Sequence, residues 1–276
     1  MAPPNPITLP PRFEIRKLEP KHHDWVKALI THSNTFHSPL FSVAYPTNQT
    51  ERAYAVFRAG DYHASHSINS GLSYGVFDTQ YQFHHPSSSQ SEEGGQLLWD
   101  LTNPNATPSD LLTQMDFPLV SVALSYDGIH PFNFSQLTPL LQAIPLFGTV
   151  FAALEKADTR PPESWKPQRA GEVILRSGTA TRADYGGMGL AKGLAHWLMY
   201  EAKGKGYKAV QIETAHPAVE RVWMAPPSEF KAEMVGAFET GSYEEEVEGR
   251  GMVRVFEPAE VRCTKIWVDL GSAGSA

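Results

Sequence analysis

The sequence predicts an α/β fold, and three observations carry that prediction. Residues 171–214 read strand, glycine-rich turn, helix, strand, which is the order of a parallel crossover unit. Apolar runs with strand character at Phe13–Leu18, Leu72–Phe77 and Pro118–Ser125 alternate with helical stripes such as Trp25, Val26, Leu29 and Ile30. Apolar residues make up 41% of the 276, enough for a sizeable core, and no internal repeat is visible. The organisation fits one α/β domain over residues 1–276 with two insertions, at 79–116 and 127–170.

The crossover unit is the best-defined stretch. Its first strand is Glu172–Arg176, continuing irregularly through Ser177–Thr181. The turn is Tyr185-Gly186-Gly187-Met188-Gly189. The helix runs from about Leu190 to Lys203, because Leu190, Leu194, Trp197 and Leu198 share one face. Gly204 and Gly206 stop it, since glycine takes positive φ without a Cβ penalty. In the second strand, Lys208–Glu213, Val210 and Ile212 share one face while Gln211 and Glu213 share the other.

Glycines leading into a helix N-terminus let the backbone approach a ligand closely. The first helical N–H groups lack intrahelical partners, and the helix dipole favours negative charge there. The turn is therefore a candidate phosphate or pyrophosphate site; the plain alternative is a tight turn that only fits the helix against the sheet.

The residues Gly186-Gly187-Met188-Gly189-Leu190-Ala191 resemble the acyl-CoA-binding signature of the GNAT superfamily of N-acyltransferases, Arg/Gln-x-x-Gly-x-Gly/Ala. Gly189 and Ala191 match; Gly186 stands in the Arg/Gln position, a departure; Tyr185 matches an aromatic that precedes the signature in many members. The resemblance implies a GNAT fold: a mixed central sheet flanked by helices, with two central strands splayed apart. Residues 171–214 are then the acyl-CoA-binding core. The pyrophosphate of acetyl-CoA would rest on backbone N–H groups from Gly187 to Ala191. The pantetheine arm would lie along Thr179, Ala180, Thr181 and Arg182, and Lys192 would be a further candidate for a CoA phosphate.

A dinucleotide fold is the competing reading. Gly187-x-Gly189-x-x-x-Gly193 is close to a nucleotide fingerprint, and Glu213 stands about where a ribose-binding acid belongs. Against it, the polar run Thr179–Asp184 separates strand from glycines, and too few βα units remain after it for a doubly wound sheet.

In chain order, residues 1–11 are proline-rich and predict a loose arm. The strand Phe13–Leu18 precedes a helix opened by Pro20. Residues 34–48 predict a loop carrying Phe36, His37, Phe41 and Tyr45, and Gln49–Asp61 a second helix. His63 and His66, at i and i+3, have only Asp61 nearby as a candidate third ligand, and predict a solvated helix end rather than a metal pair. Ser87–Gln96 predicts a mobile polar loop, and Ser109 the cap of a short helix Asp110–Met115. Pro118–Ser125 pairs with the strand begun at Leu72. From Leu137 to Leu154 one long apolar helical face bends at Pro145, able to pack on the core, wall an acceptor pocket or form a dimer contact. Thr159–Gln168 is a proline-rich lead into the central strand. Pro217–Met224 and Glu229–Phe238 predict helices, Val247–Glu257 and Val261–Leu270 a terminal strand pair, and Gly271–Ala276 a frayed end.

A net charge of −7 argues against a general nucleic-acid binder. Cys263 is the sole cysteine, so no intrachain disulfide forms. No signal segment or membrane-length apolar run is visible, and the expectation is a cytoplasmic protein, with the nucleus also open at this size.

The implied reaction is acyl transfer from acetyl-CoA to a small-molecule or peptide amine, by direct attack on the thioester. It needs a base for the amine proton, and Glu213 at its strand end is the first candidate. His216 and Glu172 are the others, and no metal is required. The resemblance also implies an Asn, an Ala and a Tyr after this strand. With Ala218 in the Ala slot, Ala215 and Val222 stand where the functional Asn and Tyr belong. Tyr243 is a distant candidate for the acid. A GNAT-fold protein that binds CoA or another ligand without transfer is therefore the alternative.

Overall fold

Seven strands form the central sheet in a computed structural model that describes residues 5–271. They are β1 (Phe13–Lys17), β2 (Tyr74–Asp78), β3 (Leu119–Asp127), β4 (Val173–Thr181), β5 (Ala209–Thr214), β6 (Lys231–Glu239) and β7 (Arg262–Asp269). Their spatial order is β1-β2-β3-β4-β5-β7-β6. Only β4 and β5 pair in parallel; every other neighbouring pair is antiparallel. The expected pairing of the strand at Leu72 with that at Pro118 is realised as β2 against β3.

The helices lie on both faces. The helix α6 (Leu190–Gly204) buries Leu190, Leu194, Leu198 and Met199 against Val76, Val120 and Val210. On the other face α1 (His23–His37) and α3 (Asp61–Asn69) bury Trp25, Val26, Leu29 and Ile68 against Phe77, Val122 and Leu124. Between those two in sequence, α2 (Gln49–Ala59) packs against α1. The expected long apolar face is two helices, α4 (Phe134–Ala143) and α5 (Pro145–Ala157), with the break at the predicted proline. Both cover a third cluster with Phe256, Val261 and Cys263, and α5 packs against β6. A short helix, α7 (Pro217–Trp223), follows β5. Among the described residues no helix is long and apolar enough to cross a membrane.

Two irregularities interrupt the middle of the sheet. Between β3 and β4 the register slips: Leu124 faces Gly178 while Ser125 faces Arg176, so Ser177 is an unpaired bulge. The parallel pairing of β4 with β5 covers only Val173–Leu175 against Ala209–Gln211. Beyond Leu175 the two strands part, as the splayed arrangement requires.

Several expectations need correction. The helix expected at Glu229–Phe238 is instead the strand β6, Lys231–Glu239. Its apolar spacing is ambiguous, and pairing with β7 along Arg262–Asp269, interrupted by one bulge at Val235, decides the outcome. The terminal strand pair is not formed: β7 lies between β5 and β6, while Glu245–Val247 and Gly251–Val253 make a small separate hairpin. That segment carries Glu244, Glu245, Glu246 and Glu248, too charged to join a sheet buried between helices. The short helix is Pro108–Thr113, capped by Thr107 in a reciprocal pair with Asp110, so Ser109 is inside it. The loop expected at 34–48 is helical as far as His37 and again at Phe41–Ala44. Far from solvated, His63 is buried, and its Nε2 donates to the Ser177 carbonyl at 3.0 Å.

In the segment 87–96, Ser91 Oγ accepts from the Gly95 N–H at 2.7 Å and Ser88 is buried. The arm expected at 1–11 is tied down over residues 5–11. Asn5 Nδ2 donates to the Trp197 carbonyl at 2.9 Å, and Leu9 lies so close to Gly193 that a Cβ there would sit 2.4 Å from it. The first four residues of that arm, and the expected frayed end beyond Gly271, lie outside the described residues.

Candidate active site

Where β4 and β5 part, a cleft opens between α6 on one side and α1 and α5 on the other. Its floor is Arg176–Thr181 of β4 and Ile212–Thr214 of β5. One end is the glycine turn, the other a wall of Phe41, Phe147 and Phe151.

The turn end is built from backbone. Gly187 and Gly189 hold φ of +77° and +75°, which a side chain strongly disfavours, and no atom lies within 4 Å of where either Cβ would be. The intrahelical ladder of α6 begins with the Gly193 N–H on the Gly189 carbonyl at 2.9 Å. Among the described residues, no acceptor of the chain meets the N–H groups of Gly187 through Lys192. Six consecutive donors at the positive end of a helix dipole suit an anion, and the Gly186 departure costs little where binding is by backbone. Lys192 lines the cleft and is exposed there.

At the other end stands Glu213. Burial raises its carboxyl to about 7, against the pull of Lys265, whose Nζ is 3.7 Å away. Lys265 itself is 2% exposed and spends its charge mainly on Asp158, at 3.1 Å. Asp158 also takes the Arg160 fork at 2.8 and 2.9 Å, and these bonds hold its carboxyl at about 2 despite burial. A carboxylate near 7, beside a lysine already neutralised by another acid, is set to accept a proton.

The other expected site residues divide. Thr179, Ala180, Thr181, Gly186, Gly187, Gly189, Leu190, Ala191 and His216 all border the cleft. The His216 ring caps α7, its Nδ1 accepting from the Ala218 N–H at 3.1 Å, so only Nε2 is left for a ligand. Burial lowers its pKa. Glu172 is not in the cleft. It precedes β4 at the opposite end of the sheet, bound to Lys208 at 3.0 Å and to the Gln168 and Arg169 N–H groups, which hold it at about 2. Arg182 turns away from the cleft. Its side chain is 1% exposed and is spent on Asp184 at 3.0 Å and the Met115 carbonyl. Met188 does not border the cleft but stands exposed at the tip of the turn. Tyr243 is remote, donating to Glu245 and packed on Phe238 and Phe256. The slots left by the resemblance, Ala215 and Val222, do border the cleft.

Sequence reasoning missed three charged residues at or beside the cleft. Asp158 and Lys265 lie over a hundred residues apart, and nothing local links them. Arg176 sits under the cleft, and the bulge that places it breaks the alternation from which its face would be read. Among the described residues no three His, Cys, Asp or Glu side chains cluster as a metal site would.

No protein-family model and no curated protein matches the chain by sequence. Solved structures do match in shape. The C-terminal condensation domain of Ebony, in complex with beta-alanyl-dopamine, superposes with a TM-score of 0.59 at 14% identity, over 92% of this chain and 97% of that one. Arylalkylamine N-acetyltransferase 2 from Aedes aegypti gives 0.55 at 12%, over 94% and 99%. An agmatine N-acetyltransferase gives 0.54 at 7%, again over 94% and 99%. With the mixed sheet, the parting of β4 from β5 and the glycine turn opening α6, these likenesses establish that the chain has the GNAT fold, in a divergent form.

Proposed function

We propose that the chain is an N-acyltransferase that transfers an acetyl group from acetyl-CoA to an amine. The observation that carries this is the meeting, in one cleft, of a row of free backbone N–H groups and a carboxyl raised to about 7. The proteins of similar shape named above as acetyltransferases act, by their names, on amines.

In this reading Gly187–Lys192 hold the pyrophosphate, and the gap beside Thr179–Thr181 takes the pantetheine arm. Glu213 takes the proton of the attacking amine, directly or through a water. The edge of β4 left without a strand partner beyond Leu175 supplies backbone polar groups along the gap, including N–H groups for the thioester oxygen. The acceptor lies against Phe41, Phe147 and Phe151, which suits an amine with an apolar arm.

A second reading, binding of CoA without transfer, is favoured by Ala215 and Val222, which put no polar side chain at the two slots where the resemblance implies Asn and Tyr. Calorimetric titration with acetyl-CoA, with NADPH in parallel, tests the donor. Saturable binding of acetyl-CoA is expected, weakened about tenfold or more in Gly189→Val, whose side chain strains the positive-φ turn and occupies ligand space. Binding of NADPH alone overturns the proposal. Release of free CoA thiol in the presence of an arylalkylamine separates transfer from binding.

A further inference from the structure

Arg176 has no part in that scheme, yet its placement is unusual. The residue is 7% exposed, and its guanidinium meets four neutral acceptors. These are the Leu124 carbonyl, Ser125 Oγ at 2.8 Å, the Gly178 carbonyl at 3.0 Å and Thr179 Oγ1 at 2.8 Å. Its buried Nε has no partner. Among the described residues no carboxylate pairs with it, and burial pushes its pKa down to about 9, so it stays charged at neutral pH. A charge out of water without a counter-ion costs several kcal/mol, which neutral dipoles offset only in part. Such a group stands ready for a negative charge that arrives later.

Its position says which charge. With the pyrophosphate on Gly187–Lys192 and the arm running back past Thr181, as the proposed function has it, the sulfur end of the donor would come to Thr179, which borders the same cleft. Arg176 reaches Thr179 Oγ1. The Trp223 ring lies 5.8 Å from the guanidinium carbon, closing one side, and Trp223 follows Val222, the residue standing where the resemblance implies an acid. We propose that Arg176 holds the departing sulfur as a thiolate, by charge, in place of a proton donor. The step balances without an acid: the C–N bond forms, the C–S bond breaks with its electron pair left on sulfur, and the amine proton goes to Glu213. This rests on the acyltransferase reading and deepens it.

The other groups near this end of the cleft do not supply the charge. Leu124, Ser125, Gly178, Thr179 and Trp223 are neutral, and His63, behind the bulge on Ser177, is held neutral by burial at about 4. Glu213 opposes a thiolate when ionised. His216 has a lowered pKa, and Lys192 stands at the pyrophosphate end.

The test uses the full chain and free CoA, with binding confirmed by calorimetry. The thiol of bound CoA is then titrated by thiolate ultraviolet absorbance, against free CoA in the same buffer. In the wild type the bound thiol should ionise about one unit lower, giving about tenfold more thiolate at a pH below both. Arg176→Met should abolish the shift, and Arg176→Lys should restore part of it. A bound thiol that ionises no lower than free CoA in the wild type overturns the proposal, a measurement that stands even if Arg176→Met does not fold. A shift that survives in a folded Arg176→Met also overturns it. Failure of CoA to bind at all overturns the acyltransferase reading with it, whereas binding without the shift overturns this inference alone.

Discussion

The Glu213 carboxyl sits near 7 because burial costs its charged form more than Lys265, at 3.7 Å and engaged elsewhere, returns. In the proposed role as a base its working form is the carboxylate. The predicted kcat/KM therefore rises about tenfold per pH unit below 7 and levels above it. Glu213→Gln should lower kcat by about 10²- to 10⁴-fold and flatten that limb, which steady-state rates between pH 5 and 9 would check. A limb unchanged in the variant would remove Glu213 from the role. The place of Glu213 on the cleft was legible because strand alternation puts it on the face away from Val210 and Ile212 at a strand end. Arg182 misled because its backbone lies on the expected track, and only the packing shows its side chain spent on Asp184 and Met115.

At the scale of elements, one ion cluster ties a helix end to the sheet. Asp158, next after α5, is 1% exposed and bonds to Lys265 of β7 and to Arg160. Asp158→Asn leaves the Lys265 charge buried with only the shielded Glu213 nearby. Unfolding in urea should show a loss of about 3–5 kcal/mol. It should also lower the Glu213 pKa, since Lys265 would turn to its second acid, and move the activity limb below 7. No change in stability would mean that the cluster relaxes into solvent. The helices α1, α6 and α7 were readable from apolar stripes and prolines. The strand β6 was not, because its apolar residues fit either period and the deciding partner, β7, comes 31 residues later.

For the whole molecule, acid should loosen the fold before the carboxylates protonate. His22, His32 and His63 are buried, and burial drives each down to about 4. A histidine lowered in the folded state binds its proton first in the unfolded chain. Its stability contribution is full above the unfolded value near 6.5 and falls as pH drops towards 4. Glu213 has the opposite sign, its raised folded value adding stability as pH falls from 7 to 4.5, and one carboxyl offsets only part of three imidazoles. The urea midpoint should be lower at pH 5 than at pH 7; an equal or higher midpoint would contradict the buried neutral state of these rings. Burial of this kind joins segments far apart in sequence, as His63 joins α3 to the bulge in β4, and so leaves no local trace.

Cys263, on β7, has no exposed surface, and burial lifts its thiol to about 12. The natural chain should thus be silent towards thiol-directed dyes. A single cysteine placed at Met188, 47% exposed at the tip of the glycine turn, would take a fluorophore alone, without any background to engineer away.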